Sequence, residues 1–335
     1  MRLKRFAFCL LLLAMPALVA AQSEPRTLEV PADDAWRHAE TRMTLPARAG
    51  TLTRIDIRNT SADGLEFVAS YADRDEGMTA VVHVYRTMVP HVPLWFDSAL
   101  ASIALPQAGA AAPAVTAFAR PGASAASGLR AATAGNGPGL RSSAIAIAPL
   151  GSWLVKIRLD SARLAPAALD GRLSAFIAAL GWPAQTGTAS TAIPVEPCPA
   201  PLRLTAARRL SGRPHDVVAY WAGWTVLPGR DEGPPRVYCR EPGATIRSGV
   251  YRLDGAADTY LIPLADGIAL AAGEETDLAA LMGERRRRRY SVTLVERNSL
   301  IGHSSFNRLP PPEQALAAFL GAPSLLSVTT GRERR

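Results

Sequence analysis

The sequence predicts an α+β fold in two domains, each an antiparallel sheet with a C-terminal helix packed on it. Three observations predict it. Apolar and polar residues alternate from Leu52 to Arg86, the period-2 mark of half-buried strands. Leu169, Leu173, Phe176, Ile177 and Leu180 recur at helical spacing, and Gly181 and Pro183 follow as stop signals. Residues 184–197 are rich in Thr, Ala, Ser and Pro, a linker composition, and the chain on each side is long enough to bury its own core.

Residues 1–21 read as a secretory signal peptide. Arg2, Lys4 and Arg5 form a basic start, and Phe6 to Val19 is an apolar run too short to span a bilayer comfortably. Val19, Ala20 and Ala21 supply small residues before a cut ahead of Gln22. No later stretch is apolar enough to cross a membrane. The expected mature chain is therefore periplasmic or secreted, with no transmembrane segment.

The first domain spans residues 22–183. It opens with a short strand, Thr27 to Val30, and Trp36 is expected at a sheet edge. Ile55 and Ile57 share one face of the next strand, with Arg54, Asp56 and Arg58 on the other. Polar turns at Asn59–Gly64 and Asp73–Gly77 bracket a strand carrying Leu65, Phe67, Ala69 and Tyr71. Val81–Tyr85 is apolar on both faces except at His83, which suits a central strand. Pro93 fits the first turn of a helix whose stripe is Trp95, Phe96, Ala99, Leu100 and Ile103. Val115–Arg120 and Gly128–Thr133 read as strands. Ser143–Ile147 and Trp153–Ile157 read as a hairpin over Ala148–Gly151, and the Leu169–Leu180 helix closes the domain with Gly181 at its C-cap.

This order of strands, helix, strands, hairpin and long helix, over residues 27–183, resembles the PsbP/Mog1-like α/β/α sandwich, whose periplasmic members include the DcrB-like proteins. The resemblance rests on element order and carries no residue motif. It implies an accessory or binding domain and transfers no functional residue.

The second domain, residues 198–327, is β-rich. Its expected strands are Asp216–Val226, Arg236–Arg240, Ala244–Leu253, Thr259–Ile262 and Gly267–Ala271. A short helix at Asp277–Met282, a hairpin of Tyr290–Val295 with Leu300–Phe306, and a helix at Pro312–Leu320 follow. Residues 198–215 show little regular pattern, and 328–335 are expected as a flexible tail. Loss of the signal peptide removes Cys9 and leaves Cys198 and Cys239. An even pair in an oxidising compartment predicts one disulfide. It would close a loop of about 40 residues, worth roughly 4 kcal/mol in the chain-entropy model.

The formal charge is +8, and the basic residues are almost all arginine, since Lys4 and Lys156 are the chain's lysines. This is weak evidence for a polyanionic partner, and nucleic acid is not expected outside the cytoplasm. Arg285, Arg286, Arg287, Arg288 and Arg289 are the candidate anion-binding residues, able to meet an anionic envelope component. The competing reading is a solvated strand edge whose charge blocks unwanted pairing, neutralised in part by Glu274, Glu275, Asp277 and Glu284. Trp221 and Trp224 are the candidate ligand-groove residues; three apart on one strand, they face opposite sides, and core packing competes with binding there.

Catalytic and cofactor motifs are missing. Gly302-His303-Ser304-Ser305 only looks like a nucleophile elbow, since it falls inside a predicted hairpin strand. His83, His91 and Asp97 come nearest to a metal ligand set, but the histidine spacing matches no metal motif, so neither metal nor cofactor is expected. Nucleotide binding lacks a Gly-rich strand-to-helix loop. The reading that follows is a non-catalytic binding or accessory protein of the cell envelope. Two alternatives stand beside it: a hydrolase with scattered catalytic residues, and an envelope structural protein recruited by its basic segment. An open groove lined by tryptophan would favour binding; a pocket with converging Asp, His or Ser side chains would favour the enzyme.

Overall fold

A computed structural model describes residues 25–104, 112–185, 187, 190–210, 237–275, 288–321 and, by backbone alone, 326–329. The signal peptide, the Trp221/Trp224 strand, the 277–282 helix and Arg285–Arg287 lie outside the described residues.

The first half builds a nine-stranded antiparallel sheet. Its strands are β1 (Arg26–Thr27), β4 (Arg48–Ala49), β5 (Leu52–Asn59), β6 (Glu66–Asp73), β7 (Met78–Arg86), β8 (Thr116–Phe118), β9 (Gly128–Ala134), β10 (Ser142–Leu150) and β11 (Trp153–Ser161). The spatial order is β1-β5-β6-β7-β11-β10-β9-β8, with β4 also on β5. A separate small ribbon pairs β2 (Trp36–Arg37) with β3 (Thr44–Leu45). The apolar strand with the lone histidine, β7, sits at the centre of the sheet, as its composition predicts.

Two helices cover opposite faces. α1 (Val92–Ile103) packs on β9 and β10, its buried stripe formed by Val92, Leu94, Trp95, Phe96 and Ile103. α2 (Pro166–Ala179) packs on the same strands from the side lined by Ala144, Ala146, Val155 and Ile157, burying Leu169, Leu173, Phe176 and Ile177. α2 caps at Leu180, one residue before the expected position. Gly181 instead pairs with Thr44, where a Cβ would come within 2.7 Å of the threonine Cβ. That close approach, more than the stop signal, requires glycine there.

One strand departs from its sequence pattern. The β5–β6 register shifts between Arg54 and Asp56, so Ile55 is an unpaired bulge residue, 67 % exposed. The bulge breaks the alternation and separates Ile55 from the buried Ile57. Arg54 takes the interior instead. It is 7 % exposed, and its guanidinium donates to the carbonyls of Leu45 (2.9 Å), Pro31 (3.0 Å) and Asp34 (2.7 Å). Those three bonds satisfy a charge that would otherwise be costly to bury, and they bind the 31–45 segment to the sheet.

Among the described residues, the second half forms another nine-stranded sheet. It contains β12 (Glu196–Pro197), β13 (Arg209–Leu210), β14 (Tyr238–Arg240), β15 (Tyr251–Leu253), β16 (Thr259–Ala265), β17 (Ile268–Glu274), β18 (Tyr290–Val295), β19 (Ser299–Phe306) and β20 (Leu326–Thr329). Pairing is antiparallel except where β12 runs parallel to β14. The 290–306 hairpin and the helix α3 (Pro312–Leu320) form where the sequence places them. The strand expected over Ala244–Leu253 shrinks to Tyr251–Leu253, since Gly243 and Gly249 take positive φ and turn the chain. Residues 328–329, expected in the tail, extend β20 along Ser299–Gly302 of β19. Backbone pairing holds them where apolar content alone would not.

The described part of the patternless segment, residues 198–210, is also held. Leu202 N–H donates to Glu241, Ala207 N–H to Gln314 and Arg208 N–H to Asn307. Cys198 and Cys239 form the expected disulfide, with Cα atoms 4.8 Å apart. The linker is fastened too: Gln185 N–H donates to the Gly122 carbonyl and Ala192 N–H to the Ala126 carbonyl.

The sheets share apolar packing. One cluster joins Tyr85, Trp95, Phe96, Leu129, Ile147 and Leu154 of the first half to Tyr238, Tyr251, Leu261, Ala271, Val295 and Leu300 of the second. The sheet boundary falls within residues 184–197, but the core continues across it.

Candidate functional site

Two places concentrate functional chemistry: a groove at one edge of the first sheet, and a charged cluster at the joint between the sheets.

The groove begins with the β2–β3 ribbon. Pairing of Trp36 with Leu45 sets the indole beside β6. Arg42 takes a left-handed φ of 62°, closing a tight turn in which Arg42 N–H donates to the His38 carbonyl. His38 is buried beneath, its Nδ1 2.8 Å from the Thr41 hydroxyl. Its ring lies 4.8 Å from Phe67 and 4.7 Å from Trp153, and Trp36 stacks at a tilt on Phe67 at 5.3 Å. The Trp153 indole N–H donates to Glu40. Trp36 and Phe67 are thus held from below by packed rings while remaining half-exposed above. The resulting open cleft holds about 500 Å³, with Leu28 on the apolar wall and Arg37, Glu40, Asn59 and Asp63 around the rim. A second recess along Arg26–Val30 shares Leu28 and Trp36, so the surface continues along the exposed edge strand β1.

The cluster at the joint follows from strand register. Lys156 stands opposite His83, His83 opposite Val68, and Tyr85 opposite Glu66. Alternation puts Glu66, His83, Tyr85 and Lys156 on the face that meets the second sheet. From that sheet come Asp266, in the β16–β17 turn, and Arg297, in the β18–β19 turn. His83 Nδ1 lies 3.1 Å from Asp266 Oδ2 and 3.7 Å from Glu66 Oε1, close enough for charge attraction without the alignment of a hydrogen bond. Lys156 Nζ donates to Asp266 at 2.5 Å, and Arg297 donates to Glu66 at 2.7 Å.

These neighbours set the protonation states. Burial favours a neutral Asp266, but Lys156 and His83 outweigh it and hold the carboxyl far below the ordinary range. Glu66 is likewise lowered: burial opposes this, and His83 and Arg297 win. Burial would depress His83, yet its close contacts with Asp266 and Glu66 raise it overall. The Tyr85 hydroxyl is fully buried without a hydrogen bond among the described residues; burial first, then the two carboxylates, push its pKa well up.

Glu66, His83 and Asp266 offer three ligand atoms within 4.8 Å of one another, a spacing a metal ion could use. The charge count argues against one. Lys156 and Arg297 already neutralise both carboxylates, and a divalent cation would add two charges to a balanced, half-buried site.

The residues singled out from sequence fare differently. His83, His91 and Asp97 acquire three separate sets of partners. His91 N-caps α1, accepting from Leu94 N–H, and packs against Tyr238. Asp97 accepts from Arg240 at 2.9 Å and from the Tyr251 hydroxyl at 2.6 Å, so the halves are also bonded away from the cluster. His303 and Ser304 are buried within β19, the hairpin strand expected for them. Of the arginine run, Arg288 pairs with Glu274 at 3.4 Å and Arg289 with Glu275 at 3.3 Å. Trp221 and Trp224 lie outside the described residues.

Sequence reasoning missed both places. His83 was conspicuous as the polar residue of an apolar strand, but its partner Asp266 is 183 positions away. Trp36 offered only a lone aromatic in a polar stretch. Comparison with protein-family models, curated proteins and solved structures finds no match for this chain. Among the described residues, no helix is long and apolar enough to cross a membrane.

Proposed function

We propose that this is an exported, non-catalytic binding protein of the bacterial cell envelope, periplasmic or secreted, that seats a ligand on the Trp36 groove. The carrying observation is the open cleft in which Trp36 and Phe67 present aromatic surface above a rigid layer of packed rings. Aromatic faces bind without freezing many rotors, and pre-organisation lowers the cost of binding further. Polar groups around an apolar floor suit a saccharide, whose ring faces are apolar and whose edges form hydrogen bonds. An envelope glycan is the ligand class this chemistry favours. The basic start and short apolar run of residues 1–21 support export, and the Cys198–Cys239 bond is compatible with an oxidising compartment. An accessory role is also what the resemblance to the PsbP/Mog1-like sandwich implies.

The charged cluster does not favour the hydrolase reading, because its side chains engage one another and not a cleft. Recruitment by the arginine run is weakened at Arg288 and Arg289, whose charges already meet Glu274 and Glu275.

The test is a fluorescence titration of the mature protein with purified peptidoglycan fragments. Saturable binding that weakens about 30-fold or more in Trp36→Ala, as for a central tryptophan anchor, supports the reading. Absent binding, or binding unchanged by the substitution, overturns it. Mass spectrometry of an envelope fraction should find a mature terminus at or near Gln22; an intact 1–21 segment would refute cleavage.

A further inference from the structure

We propose that the cluster at the joint is a proton-operated clasp, in which a proton on His83 tightens the grip of the Asp266 and Arg297 turns on the first sheet and its loss relaxes that grip.

The geometry supplies the parts. His83 Nδ1 points between two carboxylates, one from each half of the molecule: Glu66 on β6 and Asp266 on the β16–β17 turn. A proton on that nitrogen converts two weak contacts into two charge-assisted ones. The other charged groups facing it are Lys156 on β11 and Arg297 on the β18–β19 turn, with the neutral hydroxyl of Tyr85 beside them on β7. Lys156 repels a protonated His83, but it also holds Asp266 ionised and so keeps the attraction available. Lys156 is the sole lysine after Lys4, so a chain cleaved after Ala21 keeps its one lysine here. The cluster is half-buried, where charge interactions are less screened than on an open surface.

Linkage fixes the direction. If the turns leave, Asp266 and Arg297 leave with them, and His83 keeps only Glu66 and Lys156 nearby. The docked state therefore binds the histidine proton more tightly than the undocked state. Its contribution is fully present below the ordinary histidine value of about 6.5 and disappears as pH rises through the raised docked value. The carboxylates act in the opposite sense. Their docked values are lowered, so their contribution is present above the ordinary range of about 4 and is lost as pH falls through the lowered values. The clasp holds most tightly between these limits, in mild acid. The shared apolar cluster keeps the halves together on either side of that window, so the clasp acts at the turns and does not part the molecule.

Histidine NMR on the intact mature protein tests this directly. The His83 resonance, assigned by its loss in His83→Gln, should titrate above about 6.5 and fall toward that value in Asp266→Asn. Amide exchange, corrected for its intrinsic pH dependence, gives the second measurement. Protection at residues 265–268 and 296–299 should drop between pH 6 and 8.5, about tenfold for each unit by which His83 is raised, and the drop should vanish in His83→Gln. A His83 that titrates at or below its ordinary value, or a drop that persists in His83→Gln, overturns the proposal.

Discussion

Gly267 stands so close to β7 that a Cβ built on it would lie 2.5 Å from the Arg86 carbonyl oxygen and 3.0 Å from the Tyr85 ring. The tip of a second-half hairpin thus rests directly on first-half backbone. Its φ of +71° adds a separate demand, since L side chains avoid that region. Gly267→Ala should therefore cost about 1–2 kcal/mol in backbone strain and about 1–3 kcal/mol in overpacking. A urea melt of the full chain measures the total, and a loss well under 1 kcal/mol would mean that the turn can move aside.

Arg54 and Ile55 reverse the roles their residue types suggest. Arg54→Ala leaves the carbonyls of Leu45, Pro31 and Asp34 short of a donor and removes charge-assisted bonds, a loss of about 3 kcal/mol or more. Exchange protection around Trp36 and His38 should fall with it, because those carbonyls lie in the segment that supports the groove. Ile55→Lys should change stability by less than about 0.5 kcal/mol, as at an ordinary surface site. Equal effects of the two substitutions would contradict the bulge.

Reduction of Cys198–Cys239 should lower the melting temperature. The bond spans 41 positions, for which chain entropy gives roughly 4 kcal/mol. Because Tyr238, beside Cys239, belongs to the cluster shared by both sheets, the destabilisation should reach the joint and not stop at the second sheet. Calorimetry with and without reductant checks this; an unchanged transition would show that the contacts of Leu202, Ala207 and Arg208 suffice without the bond.

Protease accessibility between Gln185 and Ala192 separates covalent from physical continuity. The segment is fastened at Gln185 and Ala192, and the Thr-, Ala- and Ser-rich composition between them makes that stretch the expected first cut. After cleavage the two pieces should still co-elute, held by the shared cluster, the Arg297–Glu66 pair and the Asp97 bonds. Separation of the pieces under native size-exclusion conditions would show two independent domains.

Local pattern made much of the fold legible. Apolar residues on both faces placed β7 at the centre, the Pro-rich turn placed α1, and the hairpins β10–β11 and β18–β19 formed where β-branched and aromatic runs predicted them. The failures were of two physical kinds. At Ile55 one extra residue reversed the face of the strand, and no local preference announces a bulge. At Glu66, His83 and Asp266 the partners meet only after both sheets have formed, so nothing near His83 in the chain reveals why it is there. The groove lies between these cases: Trp36 was expected at a sheet edge, but the ring stack beneath it depends on His38, Phe67 and Trp153 meeting in space.

Each sheet draws its strands from one unbroken length of chain, residues 26–161 and 196–329. A chain that emerges N-terminus first can complete the first sheet before β12 exists. Until the second sheet arrives, Tyr85 and Leu154 on the sheet, with Trp95 and Phe96 on α1 beside them, lack the apolar cover that Tyr238, Tyr251, Leu261 and Val295 later supply. That interval is a period of adhesiveness, when the molecule is most prone to join a neighbour or to need a holding chaperone. Lys156, His83 and Glu66 place charge within this sticky face, so the polar patch that later receives Asp266 and Arg297 also makes the waiting intermediate less prone to stack on its own kind.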